Sequence, residues 1–181
     1  MKTLVAYMSQ TGNTKKVAEA IFGEIREEKE IKKIDEVESL DGYDIAFLGF
    51  PMHVEGPDKK TVKLLEKHCV PGRDVVLFIT HASPEDGPDL PPMIEKFTQA
   101  ARGANIVDLF HCQGELAKSV KRIMSIWPNA KFRKWAREDN SQGQPDAARL
   151  ERARDFAGEV MKRLYVGAEG QVIAGSSKAG H

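Results

Sequence analysis

The chain has 181 residues and a mass of 20.1 kDa, the size of one compact domain. Lys+Arg and Asp+Glu both total 27, so the formal net charge is zero, which excludes the one-sided field of a dedicated nucleic-acid binder and leaves any electrostatic role to a local patch. With 41% hydrophobic and 30% charged residues, the composition is that of a soluble chain with a real core.

No apolar run approaches the roughly 18 residues that a bilayer span requires, and the opening run turns polar at Ser9, too early for a signal-peptide core. The expected location is therefore the cytoplasm. Cys69 and Cys112 have neither metal-ligand nor redox-pair spacing, which suits a reducing compartment, and no metal site is expected.

Leu4-Val5-Ala6-Tyr7 predicts a buried strand, and Val17, Ala18, Ile21, Phe22 and Ile25 follow at helical spacing. Ile31 to Val37, bearing lysines, predicts an edge strand, because charge blunts an open edge. After the Asp41-Gly42 turn, Ile45 to Phe50 is a second strand, and Val62, Leu65 and Cys69 mark the inner face of the next helix, which ends at Pro71-Gly72. Val75 to Ile79 is the cleanest buried strand. Met93, Phe97 and Ala101 mark the following helix, and Asn105 to Phe110 the last strand. Leu116, Val120, Ile123 and Trp127 predict a helix broken at Pro128, with Phe132 and Trp135 in a second short piece. Residues 141–145 form a loop, and Leu150 through Leu164 an amphipathic closing helix. The domain is thus read as residues 1–166, with a helical insert and loop at 115–145 and a flexible tail at 167–181.

The three strong apolar runs lack in/out alternation and are separated by helices. Both facts are explained by parallel strands buried on both faces, an α/β doubly wound sheet of five strands with helices on both faces. Pattern alone leaves the strand order open between two common solutions. Ligands of such a sheet bind outside the carboxyl ends of its strands. The relevant loops are Met8 to Thr14, Pro51 to Pro57, Thr80 to Pro88 and His111 to Glu115.

The first loop reads Ser9-Gln10-Thr11-Gly12-Asn13-Thr14 and leads straight into a helix. Unpaired N–H groups at a helix start, the positive end of its dipole and the close approach allowed by Gly12 together suit a phosphate. Lys15 and Lys16 follow, where the dipole disfavours cations by roughly 0.3–1 kcal/mol each unless an anion is near. The plainer reading is that Ser9, Thr11 and Asn13 only cap the helix. In this position, however, the six residues resemble the phosphate loop of the flavodoxins, and the resemblance runs from residue 1 to about 112 and resumes in the closing helix. Flavodoxins are themselves the type example of strand order 2-1-3-4-5, so the resemblance, not the pattern, supplies that order.

The resemblance implies flavin mononucleotide (FMN) as cofactor, with Ser9, Gln10, Thr11, Gly12, Asn13 and Thr14 at its phosphate and two later loops beside its ring. Those loops offer Pro51, Met52, His53, Val54 and Gly56, then Thr80, His81, Ala82, Ser83 and Gly87. In flavodoxins the first of them carries a flexible peptide that bonds a ring nitrogen, and Gly56 is the candidate here. Both loops lack the aromatic usual in the family. Met52 could equally be core filler and His53 a solvated histidine, while the second loop could be an ordinary Pro/Gly turn. No catalytic residue is assigned. Cys112 sits near the ligand edge and Cys69 at the opposite one. A helix of about twelve residues separates the two edges by roughly 18 Å, beyond the ~7 Å limit of a disulfide.

From Gly114 to Arg137 there are seven basic residues (Lys118, Lys121, Arg122, Lys131, Arg133, Lys134, Arg137) against one acid, Glu115. A solvated helix face with Trp127 and Trp135 as packing anchors is the plainer account; an acidic redox partner, or a lid over the flavin, is the functional one. The expected function is FMN-dependent electron transfer with a reductase or acceptor as partner, or a small FMN-dependent oxidoreductase. The alternative is a non-enzymatic interaction module that keeps the fold and has lost the flavin. A nucleoside triphosphatase is excluded by the lack of a Gly-x-x-x-x-Gly-Lys-Ser/Thr loop.

Overall fold

The computed structural model describes residues 1–176, with side chains through residue 166. Five strands, β1 (Lys2–Tyr7), β2 (Glu28–Lys33), β3 (Ile45–Pro51), β4 (Asp74–His81) and β5 (Asn105–Gln113), form one all-parallel sheet of order β2-β1-β3-β4-β5. The helices are α1 (Asn13–Glu24), α2 (Lys59–His68), α3 (Leu90–Ala100), α4 (Lys118–Ile126), α5 (Ala130–Glu138) and α6 (Ala147–Ser176). The doubly wound fold expected from the sequence is the one observed. The expected tail at 167–181 overlaps α6, whose backbone continues to Ser176, and its last residues, 177–181, lie outside the described residues.

Period-2 side-chain direction splits the continuous apolar runs between two cores. Ala46, Leu48 and Phe50 of β3 and Val75, Leu77 and Ile79 of β4 face one layer, with Leu65 of α2 and Phe97 of α3. Ile45 and Phe47, with Val76 and Phe78, face the other, against Val17 and Ile21 of α1 and Ala153, Ala157 and Val160 of α6. The cysteines are divided in the same way, Cys69 in the first core and Cys112 in the second. Burial pushes both thiols up to about 12, so both stay protonated and unreactive.

Three boundaries differ from the sequence reading. The edge strand lies at Glu28–Lys33 rather than Ile31–Val37. Lys29 Nζ donates to Phe22 O at 2.6 Å and also to Ile25 O at the end of α1, drawing the strand close behind the helix. Ile34, in a 3₁₀ turn, and Val37 then plug the core instead of extending the ladder. β4 and β5 run on to His81 and Gln113 because they continue to pair, Thr80 with Cys112 and His81 with Gln113. Polar residues expected in loops thus hold rigid strand positions.

Gly49 faces Phe78 across the β3–β4 ladder. A Cβ there would lie 2.0 Å from the Phe78 ring, so the ring occupies the place of a side chain. Gly49→Ala is expected to lower unfolding free energy by about 1–3 kcal/mol through overpacking, read as a lower denaturant midpoint at unchanged slope.

Candidate functional site

At the carboxyl ends of β1, β3, β4 and β5 lies a cleft of about 230 Å³. Four segments line it: Gln10, Thr11 and Asn13 before and at the start of α1; Pro51 to Val54 after β3; Thr80 to Ser83 after β4; and Gly114 to Ala117 with Val120, Met124 and Trp135. Eleven of the sixteen candidate residues line the cleft, namely Gln10, Thr11, Asn13, Pro51, Met52, His53, Val54, Thr80, His81, Ala82 and Ser83, whereas Ser9, Gly12, Thr14, Gly56 and Gly87 do not.

The five outside the wall are committed within the fold. Ser9 Oγ accepts from Gly12 N–H at 3.0 Å, which leaves its own hydroxyl hydrogen free to donate. Thr14 Oγ1 lies 2.8 Å from Thr80 Oγ1 in a buried pair that ties the first loop to β4. Gly12 (φ 93) stands at the N-cap of α1 in the left-handed region, and no side chain caps that terminus. By contrast, Asp58 Oδ1 accepts from Thr61 N–H at 2.7 Å at the start of α2. The first turn of α1 thus presents unmatched donors to the cleft edge. Lys15, read as support for a bound anion, already pairs with Glu19 at 3.6 Å.

Gly56 is buried at φ 134 and bridged to His53 through both its peptide groups, at 2.9 and 3.1 Å. The loop therefore turns on its tip, Val54-Glu55, rather than on Gly56. Gly87 closes a separate turn, its N–H donating to Pro84 O at 3.1 Å. His53 Nε2 is 3.4 Å from Asp58 Oδ2 yet has no aligned hydrogen bond and is shielded from water.

Behind the β4 loop lies a polar network that the sequence reading did not nominate. Gln113 Nε2 donates to Ala82 O at 3.1 Å and to Asn140 Oδ1 at 2.8 Å. Glu85 accepts from Gln113 N–H at 3.1 Å, from Arg149 Nε at 2.7 Å and from Arg152 at 2.8 Å. Burial would raise the Glu85 carboxyl, but these donors hold it down to about 2. His81 Nδ1 lies 2.9 Å from Ser83 O, so that nitrogen carries the hydrogen and Nε2 accepts from His111 Nδ1 at 3.1 Å. Burial, then the neighbouring His111, push His81 down to about 4, which keeps it neutral in the cleft wall.

Outside the sixteen candidates, Gly114 to Ala117, Val120, Met124 and Trp135 also line the cleft, Gly114 and Glu115 from a loop the sequence placed at the ligand edge and the others from the segment it weighed as an insert or lid. A signal was present in the four-residue spacing of Val120 and Met124, which share one stripe of α4. Trp127, expected as a packing anchor, is 48% exposed and α4 buries none of its residues. The insert is rooted at Asn13, whose Nδ2 donates to Glu115 O at 2.8 Å. A Cβ on Gly114 would lie 2.9 Å from Asn13, so only glycine admits that approach.

Among the described residues, no helix is long and apolar enough to cross a membrane, and no His/Cys/Asp/Glu group could hold a metal ion. The family model described as "Flavodoxin domain" matches residues 4–158. The chain is 33% identical over 177 residues to the flavodoxin-like domain-containing protein BilS of Clostridioides difficile (strain CD3), covering 92% of this chain and 99% of that one. Its fold is similar to oxidised flavodoxin 1 from Bacillus cereus (TM-score 0.58, 18% identity, 90% and 98% of the two chains). It is also similar to a flavoprotein from Lactobacillus acidophilus NCFM in complex with FMN (TM-score 0.50, 22% identity, 61% and 92%).

Because His81 in the unfolded chain titrates near 6.5 but in the fold only near 4, its burial costs nothing above pH 6.5 and costs progressively more as pH falls towards 4. His68 and His111 shift in the same direction. His81→Asn, which keeps a donor for Ser83 O, is expected to shrink the loss of thermal stability between pH 7 and pH 5, measured by unfolding scans at both.

Proposed function

The chain belongs to the flavodoxin family, and from that premise we propose that it binds FMN in the cleft and serves as an electron-transfer protein. The observation that carries this reading is the uncapped first turn of α1 behind Gly12, opening beside Gln10, Thr11 and Asn13. Amide and hydroxyl donors without a bound carboxylate suit a phosphate dianion. The cleft's volume of about 230 Å³ is below the roughly 300–1,000 Å³ of pockets that enclose a whole ligand. That suits a flat ring enclosed by the wall while a phosphate-bearing chain lies along the open first loop.

Bound flavin would supply reversible one- or two-electron chemistry. The protein's part is to orient the ring and exclude water. Met52 and Leu116 offer apolar surface, and the Ala82-Ser83 backbone, braced by Gln113, offers hydrogen-bonding groups at a fixed position. Neutral His81 holds its proton on Nδ1, against Ser83 O. The working unit is residues 1–166, with 115–145 as its helical insert. A redox partner, a reductase or acceptor with an acidic face, would meet the basic 118–137 segment. There Lys118, Arg122 and Arg137 have no ion pair among the described residues, and Ile123, Ile126 and Trp127 are exposed.

The test compares FMN with riboflavin, which lacks the phosphate, by quenching of flavin fluorescence. FMN is expected to bind more tightly. Thr11→Ala is expected to weaken FMN by about tenfold, the worth of one hydrogen bond to a charged group, and to leave riboflavin nearly unchanged. Equal loss for both ligands sinks the phosphate assignment. Direct turnover of a small substrate by the loaded protein would favour the oxidoreductase reading over the carrier.

A further inference from the structure

The wall that the insert contributes is apolar. Val120 and Met124 stand one helical turn apart on α4, and Trp135 projects from α5. Among the described wall residues Trp135 is the one indole, and no Phe or Tyr joins it. We propose that Trp135 packs against the flavin ring, with Val120 and Met124 completing an apolar cover carried by the α4–α5 hairpin. This rests on the flavin-binding reading above and names the residue that would hold the ring.

The hairpin is anchored so that it holds an aromatic in place. Its root is fixed: Asn13 holds Glu115 O, Glu115 N–H donates to Gln144 O at 2.9 Å, and Leu116 N–H donates to Ser141 Oγ at 2.8 Å. Lys121 pairs with Asp139 at 2.7 Å and ties the start of α4 to the end of α5, where the Asp139 side chain is 7% exposed. Ala136, beside Trp135, is buried. Away from the root, the surface pair Lys131 to Asp89 at 3.2 Å is weak, as exposed pairs are. Phe132 meets the Trp135 ring edge-on at 5.6 Å and Lys131 Nζ lies over it at 4.7 Å. The cation occupies one face, so the other is the face left for a flat partner.

A ring contact and a phosphate contact are separable by ligand. Trp135→Leu is expected to weaken FMN and riboflavin by the same factor, about tenfold, and to leave the bound flavin brighter, because indole contact quenches its emission. Trp127→Leu, at an exposed position, is expected to bind both as the parent does. A measurement on the full-length parent makes the test independent of any variant's folding. With 5-fluorotryptophan at both positions, and Trp127→Phe to assign the signals, flavin addition should shift the ¹⁹F resonance of Trp135 far more than that of Trp127. Parent-like affinity and brightness in Trp135→Leu, or an unmoved Trp135 resonance, overturns this assignment and leaves flavin binding standing. A parent chain that binds neither flavin overturns both.

Discussion

Asn13 is the hinge-pin of the carboxyl edge. Its side chain reaches across from the start of α1 to the Glu115 carbonyl, and Gly114, with no Cβ, lets it come that close. One amide therefore joins the first loop to the root of the insert. Asn13 stands inside the first turn, and the N-cap position before it is Gly12, which has no side chain to cap the helix, so the first-turn donors stay open. The residue that fixes the insert thus sits beside the open first turn of α1.

Around that junction the wall is braced from behind. The Thr14–Thr80 hydroxyl pair locks the first loop to β4. Gln113 and Glu85 tie the β4 loop to β5 and to the start of α6. Each tie is partly or fully shielded from water, where satisfied polar groups rigidify and unsatisfied ones are costly. Neutral His81 and inert Cys112 follow from the same burial. The insert is the contrast: α4 buries no residue, and its two helices pack chiefly on each other. A braced wall beside a hairpin that packs chiefly on itself is an arrangement that suits the flavin-binding proposal above.

Much of this was legible in order along the chain. Continuous runs such as Val75 to Ile79 announced strands buried on both faces, and the Ser9 to Thr14 stretch pointed to the edge where the cleft opens. Less legible were the strand ends. Thr80, His81, His111 and Gln113 look like loop residues because they are polar, yet ladder pairing holds them in strands. The edge strand was misplaced because its alternating charges carry no hydrophobic period. Trp135 was read as a packing anchor and also lines the cleft, since spacing along a helix says which residues share a face but not what that face meets.

Local pattern determined the layered α/β architecture and the edge where the cleft opens, because burial and turn chemistry act over a few residues. What only the tertiary structure decided is which side chains converge there. Asn13 with Glu115, Thr14 with Thr80, His81 with His111 and Trp135 with the first three loops are all brought together by crossovers. Such contacts depend on sheet order and register, which no short stretch of chain contains.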